Sequence, residues 1–131
     1  MECYISLAST KVDKMHALMI NPETKTLQVV QFYNDPNFKF IFTNNLIIHK
    51  KSGKVLDALG GAIEGAQIGL WDINGCANQE WFLNDDKTIR SQNGLCMSFE
   101  KKSDYNNKNI ILAKYSQNTP QWRIVSCGSS D

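Results

Sequence analysis

Asn78-Gln79-Glu80-Trp81-Phe82-Leu83 recurs in altered form twice more in this chain, as Asn37-Phe38-Lys39-Phe40-Ile41-Phe42 before it and Thr119-Pro120-Gln121-Trp122-Arg123-Ile124 after it. The closing aromatics Phe40, Trp81 and Trp122 fall 41 residues apart both times, so three such units nearly fill the 131 residues. Without gaps, the same period aligns Leu7 with Ile48 and Ile89, and Met15 with Leu56 and Met97. It also aligns Leu27 with Ile68, although the third copy has Asn109 there. Apolar residues at matching places are what a shared core requires, because one copy cannot bury its apolar face alone and three around an axis can. The chain therefore reads as one domain over 1–131, with repeats at approximately 1–42, 43–83 and 84–125 and a short C-terminal tail.

Each unit reads as short strands. Leu46-Ile47-Ile48 is one, and Lys54-Val55-Leu56-Asp57-Ala58 follows the Ser52-Gly53 turn. Gln67-Ile68-Gly69-Leu70-Trp71 alternates, and Glu80-Trp81-Phe82-Leu83 closes the unit. Turn signals stand between them at Asn21-Pro22, Gly60-Gly61, Asn74-Gly75 and Asn93-Gly94. No stretch keeps a 3.6-residue apolar pattern over helical length. A helical turn is weakly written over Ala58–Glu64, against its glycines. The class is all-β: four strands taken three times give a closed, six-stranded barrel with a hairpin cap, which leaves few free strand edges. A two-sheet sandwich would not need the period.

The bulk composition excludes several functions. A formal net charge of +1 provides no long-range field for nucleic acid or an anionic membrane. The nearest basic clusters, His49-Lys50-Lys51 and Lys101-Lys102, read as solvated turns. No apolar run approaches the roughly 20 residues of a membrane span. Met-Glu-Cys-Tyr-Ile-Ser-Leu at the start does not read as a signal peptide. The expectation is a soluble protein, cytoplasmic or released without a leader, or a sequence already trimmed. Cys3, Cys76, Cys96 and Cys127 are widely spaced, with no C-x-x-C pair, and read as free or buried thiols rather than zinc ligands. No cofactor or metal is expected.

The middle repeat resembles the ricin-B-type (R-type) lectins, a β-trefoil family with a Q-x-W signature. Gln79-Glu80-Trp81 supplies that signature, and the order Leu56-Asp57, Gly60-Gly61, Leu70-Trp71, Asn74-Gly75 and Asn78-Gln79 makes it specific. The resemblance covers the whole chain as architecture and only the middle repeat as a site. Many members carry a disulfide within each repeat. Here the apolar pair Val55 and Ile73 stands at those two positions, where it is expected to pack in place of the bond. Cys96 occupies the first position in the third repeat, with Lys114 or Tyr115 at the second. Some members place a glutamine two residues before the stacking aromatic, where this chain has Gly69.

The resemblance implies that Asp57, Gly60, Trp71, Asn78 and Gln79 bind carbohydrate. The chemistry suits a pyranose, which presents C–H bonds on one face and hydroxyls around its edge. Trp71 offers an aromatic platform to the C–H face. The Asp57 carboxylate accepts hydroxyl hydrogens strongly because it is charged. Asn78 offers both donors and an acceptor, the backbone at Gly60 approaches the same hydroxyls, and Gln79 buttresses the loop. Trp81 repeats as a large apolar residue in every unit and reads as core. In the first repeat the ungapped register puts His16 at the Asp57 position and Val30 at that of Trp71, while Asn37 matches Asn78. Phe32 or Tyr33 supplies a platform if the loop is two or three residues shorter, so His16, Phe32 and Asn37 form a second, altered candidate site; another register would bring in Asp13. In the third repeat Ser98 replaces Asp57, Leu112 or Ala113 replaces Trp71, and Thr119 replaces Asn78. That site reads as lost, although Lys101, Asp104 and Asn106 are polar enough to build another.

Galactose or N-acetylgalactosamine at the ends of glycoprotein or glycolipid glycans is the ligand that the resemblance implies, and defence, cell agglutination and signalling are all uses open to an agglutinin of this kind. Such a site is weak, so avidity calls for several sites or a homodimer. The competing readings are a protein-binding β-trefoil (protease inhibitor, cytokine or cytoskeletal binder), the targeting half of a larger toxin, and a glycosidase built on Asp57 and Asp72. The last is disfavoured because the lectin motif already accounts for both carboxylates.

Overall fold

A computed structural model of the chain describes residues 1–100 and 108–128. Lys101, Lys102, Asp104 and Asn106 lie outside the described residues. The strands are β1 (Glu2–Leu7), β2 (His16–Ile20), β3 (Leu27–Gln31), β4 (Phe40–Thr43), β5 (Leu46–His49), β6 (Val55–Ala58), β7 (Ile68–Trp71), β8 (Trp81–Leu83), β9 (Ile89–Ser91), β10 (Cys96–Phe99), β11 (Lys108–Ala113) and β12 (Trp122–Ser126). All the pairings are antiparallel, and they join the strands into one network that β12 closes against β1.

Two layers emerge from the pairing. β1, β4, β5, β8, β9 and β12 form the barrel. Its two remaining seams are joined where the Trp81 N–H donates to Asn45 O and the Trp122 N–H to Lys87 O, both at 2.8 Å. The tight β4–β5 turn is made by Asn44 and Asn45, both in the left-handed region that a hairpin turn of this kind needs. The hairpins β2–β3, β6–β7 and β10–β11 form the cap. They meet one another through Thr26↔Gly69, Gln67↔Ile111 and Lys108↔Val29. Each of these pairs is symmetric about Leu27, Ile68 and Ile110, so the three hairpins share one register around a pseudo-threefold axis. This is a β-trefoil.

The core follows the same symmetry. Phe40, Trp81 and Trp122 are fully buried, as their spacing predicts. Pairing selects Ile5, Ile47 and Ile89 as the matching barrel positions, in place of Leu7, Ile48 and Ile89. The hairpin register matches Leu18, Leu56 and Met97, in place of Met15, Leu56 and Met97. The third-repeat partner of Leu27 and Ile68 is buried Ile110, not Asn109, which turns to the Gln28 amide at 2.9 Å. Each such apolar side chain contributes about 1.5–3 kcal/mol of burial, so the axis is where the fold is secured. Trp81 also donates its indole N–H to Leu56 O at 3.0 Å, tying the barrel of the middle repeat to its cap strand.

Two local expectations change. Residues 58–64 make no helical turn; Gly60 and Gly61 take positive φ angles of 80° and 111° and reverse the chain instead. The helical pieces among the described residues are single 3₁₀ turns at Val12–Lys14, Pro36–Phe38 and Ala77–Gln79, and no described helix is long and apolar enough to cross a membrane. Val55 is buried, but Ile73 is 63% exposed, so the two do not pack in place of a disulfide. All four cysteines are free, and burial pushes the Cys3 thiol up to about 11.

Candidate functional site

The middle-repeat residues converge at the mouth of the β6–β7 hairpin. Asp57 lies on β6, and Asn78 and Gln79 sit on the 3₁₀ turn that leads into β8. Asp57 is only 4% exposed, yet both its oxygens are engaged. Asn78 Nδ2 donates to Asp57 Oδ1 at 3.0 Å, and Gln79 Nε2 donates to Oδ2 at 2.9 Å. Charge-assisted bonds of this kind are the strong ones, and they fix the carboxylate's plane while leaving further lone pairs to accept from a ligand.

The two amides are themselves anchored. Asn78 Nδ2 also donates to Ala58 O at 3.1 Å, so both its hydrogens are used and its Oδ1 is the atom left to meet a ligand. Gln79 Nε2 also donates to Asp72 O at 2.9 Å, and its Oε1 accepts the Asn74 N–H at 3.0 Å. Gln79 is fully buried and holds the loop after Trp71.

An open depression of about 410 Å³ is lined by Asp57, Leu59, Gly60, Gly61, Trp71, Asn74 and Asn78. That volume lies within the range of roughly 300–1,000 Å³ common for small-molecule sites. Trp71 is 57% exposed, which a wall residue would not be. Gly60 has open space around the position of a side chain, so its backbone faces the depression uncovered. Asn74, not among the residues expected from the sequence, also lines the depression, and its Oδ1 accepts the Cys76 N–H at 2.9 Å. The Asn74-Gly75 turn was its only signal. Asp72 is largely exposed and reaches Lys54 at 3.2 Å.

The first repeat is built differently. By the hairpin register Met19, not His16, occupies the place of Asp57, because the β2–β3 connection is shorter than that of β6–β7. Phe38 takes the place of Gln79. Met19, Phe38 and Ala17 form a buried apolar cluster with Tyr4, Val30 and Phe32 against it. Phe32 packs edge-on against Phe38 at 4.9 Å, and Asn37 is buried with its Oδ1 on His49 at 3.0 Å. His16 begins β2 opposite Gln31. Asn37 and Phe32 thus make these contacts, and no hydrogen bond joins Asn37 to His16 among the described residues.

In the third repeat the corresponding depression is larger, about 620 Å³, and includes Ser98, Ala113 and Thr119. Those are the equivalents of Asp57, Trp71 and Asn78. Size alone therefore does not choose the site; the aromatic platform and the oriented carboxylate are in the smaller depression.

Three comparisons bear on this architecture. The family description "Ricin-type beta-trefoil lectin domain" matches residues 43–129. No curated protein matches the chain. Among solved structures, a designed threefold-symmetric protein, ThreeFoil, is similar at TM-score 0.74 and 20% identity, covering 95% of this chain and 98% of its own. The C-half of an earthworm R-type lectin, solved with GalNAc, is similar at TM-score 0.73 and 14% identity, over 95% of this chain and 97% of its own. A ricin B-like lectin of Macrolepiota procera, solved with lactose, is similar at TM-score 0.72 and 14% identity, over 95% and 94%. Fold and topology define a β-trefoil. The chain belongs to the ricin-type β-trefoil lectin domain family.

Proposed function

We propose that the chain is a non-catalytic lectin whose middle repeat grips a galactose or N-acetylgalactosamine residue at the end of a glycan. One observation carries the reading: a buried carboxylate, Asp57, oriented on both oxygens by Asn78 and Gln79, beside the exposed ring of Trp71. In this pose the C–H face of the sugar lies on Trp71. Asp57 accepts from neighbouring 3- and 4-hydroxyls, an arrangement that suits an axial 4-hydroxyl. Asn78 Oδ1 accepts a third hydroxyl, and Gly60 presents backbone to the ring's edge. The N-acetylgalactosamine and lactose named with two of the similar structures support the same sugar class.

Each polar contact contributes about 1 kcal/mol net, so the single site is weak and avidity would come from a homodimer or a second site. The second site proposed from the sequence, His16, Phe32 and Asn37, would differ in chemistry, because apolar Met19 and Phe38 replace its carboxylate and its buttress. Enzymatic hydrolysis is not part of the proposal.

A glycan array with wild type and Asp57→Ala side by side tests the reading. Removing Asp57 leaves Asn78 Nδ2 its bond to Ala58 O and Gln79 Nε2 its bond to Asp72 O but frees one hydrogen on each amide, so a circular-dichroism spectrum and unfolding curve of the variant accompany the array. The expected result is binding to galactose-terminated glycans, reduced about tenfold or more in the variant. Undiminished binding by Asp57→Ala would move the site to another repeat. Binding by neither protein would overturn the lectin reading in favour of a protein partner.

A further inference from the structure

A second concavity, of about 310 Å³, opens between the first and second repeats and shares no lining residue with the Trp71 depression. Its wall is largely apolar, from Ile20, Pro22 and Leu70, and carries one polar, internally bonded set, Asn37, His49 and Ser52. His49 is 2% exposed, with Nε2 3.0 Å from Asn37 Oδ1 and Nδ1 2.7 Å from Ser52 Oγ. An amide oxygen can only accept, so Nε2 carries a proton, and in the neutral ring Nδ1 accepts from the Ser52 hydroxyl. Burial, together with the Lys51 and Lys25 charges, holds the His49 pKa down to about 4 and keeps the imidazole neutral.

The rim is cationic. Lys25, Lys51 and Lys54 all line the opening. Lys54 is paired with Asp72 at 3.2 Å, whereas neither Lys25 nor Lys51 has an ion-pair partner among the described residues. Asp35, the acidic group that also acts on His49, already accepts the Asn37 N–H at 2.8 Å. Lys25 is held at φ 61°, a left-handed conformation unusual for lysine. The cap junction fixes it there: the Leu70 N–H donates to Lys25 O at 3.0 Å. Strained residues of this kind cluster at ligand sites, and Lys25 and Lys51 add two positive charges without an ion-pair partner among the described residues to the lining of one opening, which favours an anion there.

We propose that this cleft binds an oxyanion, a sulfate or phosphate group, held by the Lys25, Lys51 and Lys54 ammonium groups above the Asn37–His49–Ser52 chain. Lysine meets such a group as a point charge, whereas a carboxylate is better matched by the planar fork of an arginine. The group is a free anion or a substituent on an acidic saccharide. The site does not depend on the Trp71 depression.

Amide NMR of the full chain, titrated with sodium sulfate at constant ionic strength, tests this. Saturating shifts are expected at Lys25, Gly53 and Lys54, with a matching shift at the His49 ring. In a Lys25→Asn/Lys51→Gln double variant the affinity is expected to fall about tenfold or more; asparagine tolerates the left-handed backbone at position 25. Galactose 6-sulfate, run beside galactose and sulfate, identifies the source. Tighter binding than sulfate assigns the group to a saccharide, and equal binding assigns a free anion. Shifts that do not saturate, that chloride reproduces, or that persist undiminished in the double variant would overturn the proposal. Asp57→Ala is expected to leave the sulfate response unchanged, which separates this result from that of the lectin assay.

Discussion

Gly69 lies two residues before Trp71, where the backbone of another repeat comes close. A Cβ placed there would sit 2.9 Å from Lys25 O and 2.8 Å from Leu59 Cδ1. The sequence shows only that a polar side chain is missing at this position. The reason is a contact between repeats, which no local pattern encodes. That Asp57, Trp71, Asn78 and Gln79 come together is legible because their order sits within one repeat; that Asn74 joins the same depression is not, because it reads first as a turn former. Gly69→Ala is expected to destabilise the protein by about 1–3 kcal/mol, since the carbonyl it strikes belongs to backbone that cannot rotate away. Chemical denaturation of the variant checks this, and an unchanged midpoint would contradict it.

At the scale of elements, the constant period conceals compensating changes. Ser6 pairs with Ala17 across a long β1–β2 connection, where Ile48 pairs with Val55 across a shorter one. The β2–β3 turn is then shorter than the β6–β7 turn, so the spacing recovers by Phe40. The fold was therefore legible from the aromatics, while β2 was read out of register. The slip matters chemically, because it hid Met19 and Phe38 at the places of Asp57 and Gln79. An apolar pair does in the first repeat what an ion–amide pair does in the second. Phe38→Gln would leave an amide among Met19, Ala17 and Phe32 with no carboxylate to meet it. We expect a loss of about 3 kcal/mol from the missing ring and the unpaired amide, measurable by thermal or denaturant unfolding. Met19→Asp added to Phe38→Gln should recover part of that loss, and failure to recover any would argue against the equivalence.

At the scale of the whole molecule, stability should depend on pH through His49. Its pKa falls from 6.5 to about 4 on folding, because burial disfavours the charged ring and Lys51 and Lys25 repel it. The unfolded chain therefore binds more protons between those two values. Stability is full above pH 6.5 and declines as pH falls towards 4, by about 3 kcal/mol at most. Glu2, beside Lys50, and Asp86, bonded to Thr88 and Arg90, titrate below the ordinary carboxylate range and so act at lower pH. Unfolding free energies at about pH 7 and about pH 4.5 should differ by about 2–3 kcal/mol in wild type, and by much less in His49→Gln. Equal pH slopes in the two proteins would contradict the assignment.

The proposed lectin function depends on Trp71 as the sugar platform. Trp81 and Trp122 are buried and Trp71 is exposed, so the indole N–H resonances report separately on core and site. Titration with lactose is the most direct measurement. The Trp71 indole signal should move and saturate while those of Trp81 and Trp122 stay in place, and Asp57→Ala should shift the response to higher lactose concentration. A Trp71 signal that ignores lactose, or responds identically in Asp57→Ala, would contradict a saccharide site in the middle repeat.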